Sequence, residues 1–434
     1  MKYAEALAFL DGLVNYEKQA GPRDRFKLDN IRRLLELAGN PQERMGRTVL
    51  VAGTKGKGSV CYMLEAALRA CGCSTGMFVS PHVRTVRERI QLGGEPISKR
   101  AFAQAVARLK PLVKQQQVSY FELTAALAFD VFARTGPDYT VIEVGLGGRL
   151  DATNVSDPAV SVITRVGLDH TRVLGSSLTA IAREKAGIMR YGRPVVIGRQ
   201  DPVGTRGLLR CAGRTASKPV PVDAMSRVFG LNLTARGVEF SVMCDLGAGR
   251  VRLSLLGRHQ EENCVTAMVA LGELARSDER IRLPRVLRGL RRVVIPARCQ
   301  LVEDRPPLVV DSCHNPDSGA ALARTIADHI GRKVILVYGS LRGKLIHGTV
   351  KPLARWTRAA VLVRPDSPRA AEPGKLRSVF GRLGVPYVWC SSVRKGLEHA
   401  RSLSGAKLPI VVAGSFYVAG EALAAVEPAS DNAR

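Results

Sequence analysis

"VAGTKGKGSV", residues 51–60, follows the apolar run Thr48–Ala52 and sets Gly53, Gly56 and Gly58 around Lys55 and Lys57 before closing on Ser59. A strand, a glycine-rich turn, a lysine, a hydroxyl and then the helical run CYMLEAALRAC present backbone N–H groups and a helix N-terminus to a phosphate. On that reading Gly53, Thr54, Gly56 and Gly58 shape the cradle, Lys57 neutralises the outer phosphates, and the Ser59 hydroxyl holds Mg²⁺. The strict pattern GxxxxGK[ST] is missed twice, with Val51 at its first glycine and Gly58 after the lysine. On this stretch alone, a plain glycine-rich strand-to-helix turn with surface lysines remains open.

Apolar runs recur outward from the turn: TVLVA (48–52), TVIEV (140–144), AVSVIT (159–164), PVVIG (194–198), PLVVD (307–311), KVILVYG (333–339), AAVLVR (359–364) and LPIVVAG (408–414). Continuous apolar strands alternating with helices predict an α/β protein with parallel sheets covered on both faces. Residues 219–256 read instead as short alternating strands with glycine turns, and residues 257–276 as a helix. Four strand-like runs follow RVLRGLRRVVIPAR (285–298), which predicts a boundary near 296, with one domain over 1–295 and a second over 296–434. A loose Ala/Glu/Asp/Asn tail begins at about residue 425.

At 434 residues and 46% hydrophobic content the chain can bury more than one core. No run of apolar residues is long enough to span a bilayer, and the opening MKYAEALAFLDGLVNYEK lacks a cleavage pattern, so neither membrane insertion nor export is expected. Nine cysteines without a CxxC pair suggest neither a disulfide framework nor a zinc ribbon, and fit a reducing cytoplasm. The net charge of +27 favours anionic partners, but arginine is spread along the whole chain rather than gathered in one tail. Anionic small substrates are therefore expected ahead of nucleic acid.

Several further motifs sit near strand ends or helix starts, where ligands of open α/β sheets bind. GTKGKGS, SPHVRTVRERI, EVGLGGRLDATNV, ITRVGLDHTRVLG, IAREKAGI, GRHQEEN and DSCHNP occur in that order. With these blocks, over about residues 20 to 420, the chain resembles the folylpolyglutamate synthase/dihydrofolate synthase family of the Mur ligase superfamily. The resemblance implies a Mur-ligase-like fold: a P-loop parallel-sheet ATPase domain followed by a smaller Rossmann-like domain. It also implies an ATP-dependent ligase that phosphorylates a folate or dihydropteroate carboxylate and joins the acyl phosphate to L-glutamate, with two Mg²⁺ ions.

Glu143 ends an apolar strand, where a carboxylate needs a cation: a metal, or a partner such as Arg149 or Arg165. The resemblance makes it a Mg²⁺ ligand. His170 can complete a metal shell or sit at a helix start with Thr171 competing as the cap, and the resemblance assigns it to metal. Lys185 reads either as a solvated helix lysine paired with Glu184 or, by resemblance, as a carbamylated lysine that has become an oxygen ligand. Pro81 keeps Ser80 out of a helix, and the resemblance gives Ser80 to the metal and His82 to the substrate side. Phe121 and Asp151 match positions that contact a pterin, although Phe121 serves equally as core. Asn263, Arg298 and Asp311 match nucleotide-side positions, and His314 and Ser415 positions at the glutamate end, with His314 joining Lys57, Lys185 and His170 in the chemistry. Ser415 reads equally as an ordinary strand-end serine.

The pattern frays in the C-terminal half. IPAR stands where the family has WPGR, DSCHN where it has DGAHN, and Gly343-Lys344-Leu345 where it has a DKD-like triplet. Lys344 thus loses two expected carboxylate neighbours, and Ile295 replaces an aromatic at the linker. Three functions follow: a folate-glutamate ligase with one or both activities, a relative joining another amino acid or carboxylate, and a basic nucleotide-binding protein without ligase chemistry. A monomer is expected.

Overall fold

The computed structural model describes residues 1–17, 27–113 and 117–426, so most of the C-terminal tail lies outside the described residues. The first sheet contains β1 (Arg47–Ala52), β2 (Thr75–Phe78), β3 (Ile90–Leu92), β4 (Glu95–Pro96), β5 (Tyr139–Glu143), β6 (Pro158–Ile163), β7 (Pro194–Ile197) and β8 (Lys218–Pro221), in the order β4-β3-β2-β5-β1-β6-β7-β8. Strand β1 lies between β5 and β6, parallel to both, with Val51 opposite Glu143 and Ala52 opposite Ile163. The turn after β1 therefore opens beside the carboxyl ends of its two neighbours, where a ligand crevice forms.

Alternate residues of these strands enter separate cores. Leu50, Phe78, Ile142 and Ile163 pack on one face, and Val49, Val51, Met77, Val141 and Val162 on the other. Burial on both faces explains why these strands read as unbroken apolar runs. The edge is different: β3 and β4 run antiparallel, so the sheet is mixed rather than wholly parallel.

Strands β9 (Ser226–Thr234), β10 (Gly237–Cys244) and β11 (Gly247–Leu253) form a separate antiparallel sheet, followed by the helix His259–Ala275. The start of the 219–256 segment is corrected, because β8 pairs parallel with β7 and belongs to the first sheet. The third sheet has six strands where the apolar runs announced four: β12 (Gln300–Asp304), β13 (Pro307–Val310), β14 (Val334–Tyr338), β15 (Thr357–Val363), β16 (Tyr387–Cys390) and β17 (Ile410–Ala413). Its order is β12-β13-β17-β14-β15-β16, with only β12 antiparallel to its neighbour.

Polar ties hold the last sheet's layer to the rest. Lys55 Nζ lies 2.7 Å from Asp317 Oδ2, and Arg236 lies 2.9 Å from Asp304. His329, in a π-helical turn, reaches the antiparallel sheet: Gly257 N–H donates to its Nε2 at 2.9 Å, and its Nδ1 lies 2.6 Å from the Thr234 carbonyl. Because Nε2 accepts, Nδ1 carries the proton and donates to Thr234, which fixes a neutral tautomer. The helix Phe416–Val426 also sits directly on the loop after β2: a Cβ on Gly420 would come within 2.3 Å of the Val83 carbonyl oxygen.

Candidate active site

The glycine turn after β1 leads into the helix Lys57–Ala70. Gly56 caps that helix at φ +89°, a left-handed conformation that favours glycine, and a Cβ there would fall 2.2 Å from Asn263 Oδ1. Asn263 itself is buried and donates to Gln260 Oε1 at 3.0 Å, so the turn has a braced neighbour. Gly53 is equally constrained, since a Cβ would fall 1.8 Å from Thr164 Oγ1. The N–H groups of Thr54 and Lys55 both donate to the Arg165 carbonyl, and Thr54 Oγ1 bonds Gly167. Those contacts pin the loop while the first-turn N–H groups of Lys57, Gly58 and Ser59 lack acceptors within their own helix. The result is a rigid concave donor set at a positive helix end.

Glu143 closes the floor of this cradle. Its side chain is buried, accepts a hydrogen bond from Ser80 N–H at 2.9 Å, and lies close enough that a Cβ on Gly58 would be 3.5 Å from Oε2. Burial pushes the carboxyl above its ordinary range, with Lys57, the Ser80 N–H and Arg298 opposing that shift. Arg149 pairs instead with Glu184, and Arg165 with Glu262, so neither arginine neutralises Glu143. Among the described residues no group of three or more His, Cys, Asp or Glu side chains forms a metal cage. One desolvated carboxylate beside the helix N-terminus fits Mg²⁺, which takes hard oxygen ligands and commonly shares them with substrate phosphates.

Lys185 is a correction to the solvated reading: it is buried, and its Nζ donates to the Gly53 carbonyl at 2.8 Å. Glu184 turns away to Arg149. Burial, reinforced by the charge of Lys57, pulls the Lys185 ammonium down to about 7. His170 stands exposed at the start of the short helix Thr171–Leu174, at φ +49° and without a side-chain capping bond. Lys57, Lys185 and Lys344 all act on it electrostatically.

The remaining N-terminal positions are held by their own loops. Ser80 precedes a cis Ser80–Pro81 bond, and His82 Nδ1 accepts from Arg89 Nε at 3.0 Å. Arg89, which local sequence did not single out, is 1% exposed, grips Glu17 through two hydrogen bonds, and lies over the Tyr120 ring. Phe121 packs against Phe78 at 5.9 Å, and a Cβ on Gly145 would meet its ring at 2.5 Å, so Gly145 makes room for the aromatic. Asp151 is buried and caps its own turn, accepting from Leu146 N–H, Thr153 N–H and Thr153 Oγ1.

Across the cleft, Arg298 sits between Ala297 and Cys299, both at positive φ. Asp311 holds this bend by accepting from Cys299 N–H and Cys313 N–H, each at 2.8 Å. Its oxygens therefore brace backbone. Phe416 supplies a surface that the sequence did not flag: the Arg298 guanidinium lies 5.4 Å from its ring centre, and the His314 ring 5.8 Å. His314 Nδ1 lies 2.9 Å from the Ser312 carbonyl, so that nitrogen carries the proton, and burial holds the imidazole below its usual value. Ser415 Oγ accepts from Val418 N–H, consistent with a helix start. Lys344 has a carboxylate within electrostatic reach after all: Asp169, from the other half of the chain, opposes the lowering caused by burial and Arg369.

Two family signatures divide the chain. Residues 51–271 match the Mur ligase middle domain, and residues 297–416 the Mur ligase glutamate ligase domain. The dihydrofolate synthase/folylpolyglutamate synthase of Bacillus subtilis is 31% identical over 430 residues, covering 96% of this chain and 97% of the relative. A Haloferax volcanii protein described as a probable bifunctional folylpolyglutamate synthase/dihydropteroate synthase is 35% identical over 436 residues, covering 97% of this chain and 50% of the relative. The chain thus spans about half the length of that relative. Mycobacterium tuberculosis folylpolyglutamate synthase, solved with ADP, superposes with a TM-score of 0.86 at 29% identity, covering 98% of each chain. With both signatures in order, near-complete coverage of the Bacillus relative and the same fold, the chain belongs to the folylpolyglutamate synthase/dihydrofolate synthase family of Mur ligases.

Proposed function

We propose that this chain is an ATP-dependent ligase that joins L-glutamate to a folate, to dihydropteroate, or to both, through an acyl phosphate. The observation that carries the reading is the convergence of Lys57, the first-turn N–H groups and buried Glu143 on one cradle, with Arg298 acting on Glu143 from the other side of the cleft. We assign residues 1–295 to nucleotide and folate binding and 296–434 to glutamate ligation. Ile295 packs in the first unit's core and Ala297 in the second's, which supports that division.

The reaction must bring a carboxylate oxygen against a γ-phosphorus, both negatively surrounded. Lys57, the N–H donors of residues 57–59 and Arg298 counter that charge, most strongly in the transition state. Glu143, Ser59, Ser80 and His170 are the ligands proposed for two Mg²⁺ ions, whose bound charge neutralises phosphate oxygens. At its lowered value near 7, the Lys185 amine is substantially neutral at physiological pH, the form that takes up CO₂ to become a carbamate ligand. Asn263 and Asp311 border the nucleotide; His82, Phe121 and Asp151 border the pterin. His314 and Ser415 face the incoming amine, and with Nδ1 protonated, His314 has its Nε2 lone pair available to accept the amine proton as the amide forms. The first-formed acyl phosphate loses phosphate as nitrogen attacks its carbonyl carbon.

ADP release, measured with dihydropteroate plus glutamate and then with tetrahydrofolate plus glutamate, tests the reading. Turnover requiring both glutamate and a pteridine carboxylate supports it, and the two arms separate the activities. Turnover with another amino acid, or stimulated only by single-stranded DNA, refutes it. Among the described residues no helix is long and apolar enough to cross a membrane. We propose a cytoplasmic monomer acting on small molecules.

A further inference from the structure

A second basic concavity lies between the edge strand β11 and the helix Leu283–Arg291. Arg250 and Arg252 on β11 and Arg288, Arg291 and Arg292 at the end of the helix Leu283–Arg291 line a cavity of about 680 Å³, with Pro284 and Leu287 as apolar lining. The sequence places these residues deliberately. Val286, Gly289 and Leu290 face inward, and a Cβ on Gly289 would strike the Ala66 carbonyl at 2.4 Å, so the helix is pressed against the helix Lys57–Ala70. The arginines are left outside. On the strand, Gly249 lets Leu287 approach, since a Cβ there would be 3.0 Å from Leu287 Cδ1.

The charge in this cavity is poorly balanced. Glu239 pairs with Arg250 at 2.7 Å and approaches Arg252 at 3.8 Å. Arg288, Arg291 and Arg292 form no ion pair among the described residues. A surface built for solubility alone intersperses both signs; three unpaired guanidinium forks around a concavity match anions bidentately.

We propose that this cavity is a binding site for a flexible oligoanion carrying at least three carboxylate or phosphate groups. The spacing of helix neighbours, about 5–6 Å between side-chain roots, suits groups strung along a chain rather than one isolated ion. Its volume suits a small molecule, and no aromatic side chain lines it for base stacking, which weighs against single-stranded nucleic acid. The site stands independently of the ligase reading.

Isothermal titration of the full chain with γ-linked tetraglutamate and, separately, with inorganic tripolyphosphate tests the proposal and distinguishes the carboxylate from the phosphate source. At about 50 mM salt, saturable binding of either anion is expected, weakening steeply as salt rises. The paired charge reversal R288E/R291E should weaken it at least about tenfold, and the neutral pair R288Q/R291Q less, while ADP-forming turnover and the melting transition stay as in the parent. The neutral pair alone decides the matter if the reversal fails to fold. No saturable binding of either anion, unchanged affinity in the variants, or binding of a short single-stranded oligonucleotide in place of both overturns the proposal.

Discussion

Replacing His329 with phenylalanine keeps a ring of similar size but removes both hydrogen bonds that tie the antiparallel sheet to the last α/β layer. Gly257 N–H and the Thr234 carbonyl then lose their partners at a residue only 7% exposed. Two hydrogen bonds with their desolvation penalty are worth about 2–4 kcal/mol, which at about 2–4 °C per kcal/mol lowers the melting temperature by about 4–16 °C at pH 7.5. The pH dependence is the sharper test. Burial holds the His329 imidazole below its ordinary 6.5, with Arg258 acting in the same direction and Asp328 and the Thr234 hydrogen bond opposing. Protonation happens first in the unfolded chain, so the stability this residue contributes is complete above about pH 6.5 and drains away as pH falls below it. At about pH 5.5 the parent has therefore lost stability at this position, whereas phenylalanine does not titrate. Calorimetric scans of both proteins at the two pH values should therefore show the gap between them narrowing on acidification. His170, His259 and His314 are common to both and cancel in the difference. A gap of constant size would refute the argument that a neutral His329 holds the two layers.

Three further outcomes follow from the site. Lys57→Ala and Glu143→Ala should each lower ADP-forming turnover at least about a hundredfold while leaving the fold intact by circular dichroism, because in the proposed mechanism both touch charge that develops in the transition state; near-normal rates would remove those roles. Gly56→Ala forces a left-handed φ of +89° on a residue with a side chain and drives its Cβ toward Asn263, so a loss of about 2–3 kcal/mol in stability and at least tenfold weaker nucleotide binding by calorimetry are expected. Phe416→Leu removes the ring beside Arg298 and His314; the lost cation–π contact, about 0.5–1 kcal/mol, should lower kcat/KM about two- to fivefold with an unchanged melting point.

How much of this was legible from residues alone depended on burial. Strands covered on both faces announce themselves, as TVLVA and KVILVYG do, because nearly every side chain must be apolar. Thr75–Phe78, Lys218–Pro221 and Tyr387–Cys390 are short, and the last two lie at sheet edges with exposed residues, so their local patterns are weak. In the site, Glu143 stands out because a carboxylate ending an apolar run demands an explanation. The burial of Lys185 does not stand out: its helix sequence looks solvated, and only the return of β1's turn above it removes water. Arg89 and Phe416 give no local signal either, since their partners, Glu17, Tyr120, Arg298 and His314, are distant in sequence or ordinary in type. The missing carboxylates beside Lys344 could be noticed in one dimension, but the answering charge of Asp169 belongs to three.

The seat of Gly420 on the Val83 carbonyl gives the cleft a mechanical property. One end of the helix Phe416–Val426 carries the ring that steadies Arg298 and His314, while its next turn rests on the peptide chain just beyond Ser80, the residue that donates to Glu143. The two walls of the crevice therefore share a support in that one helix.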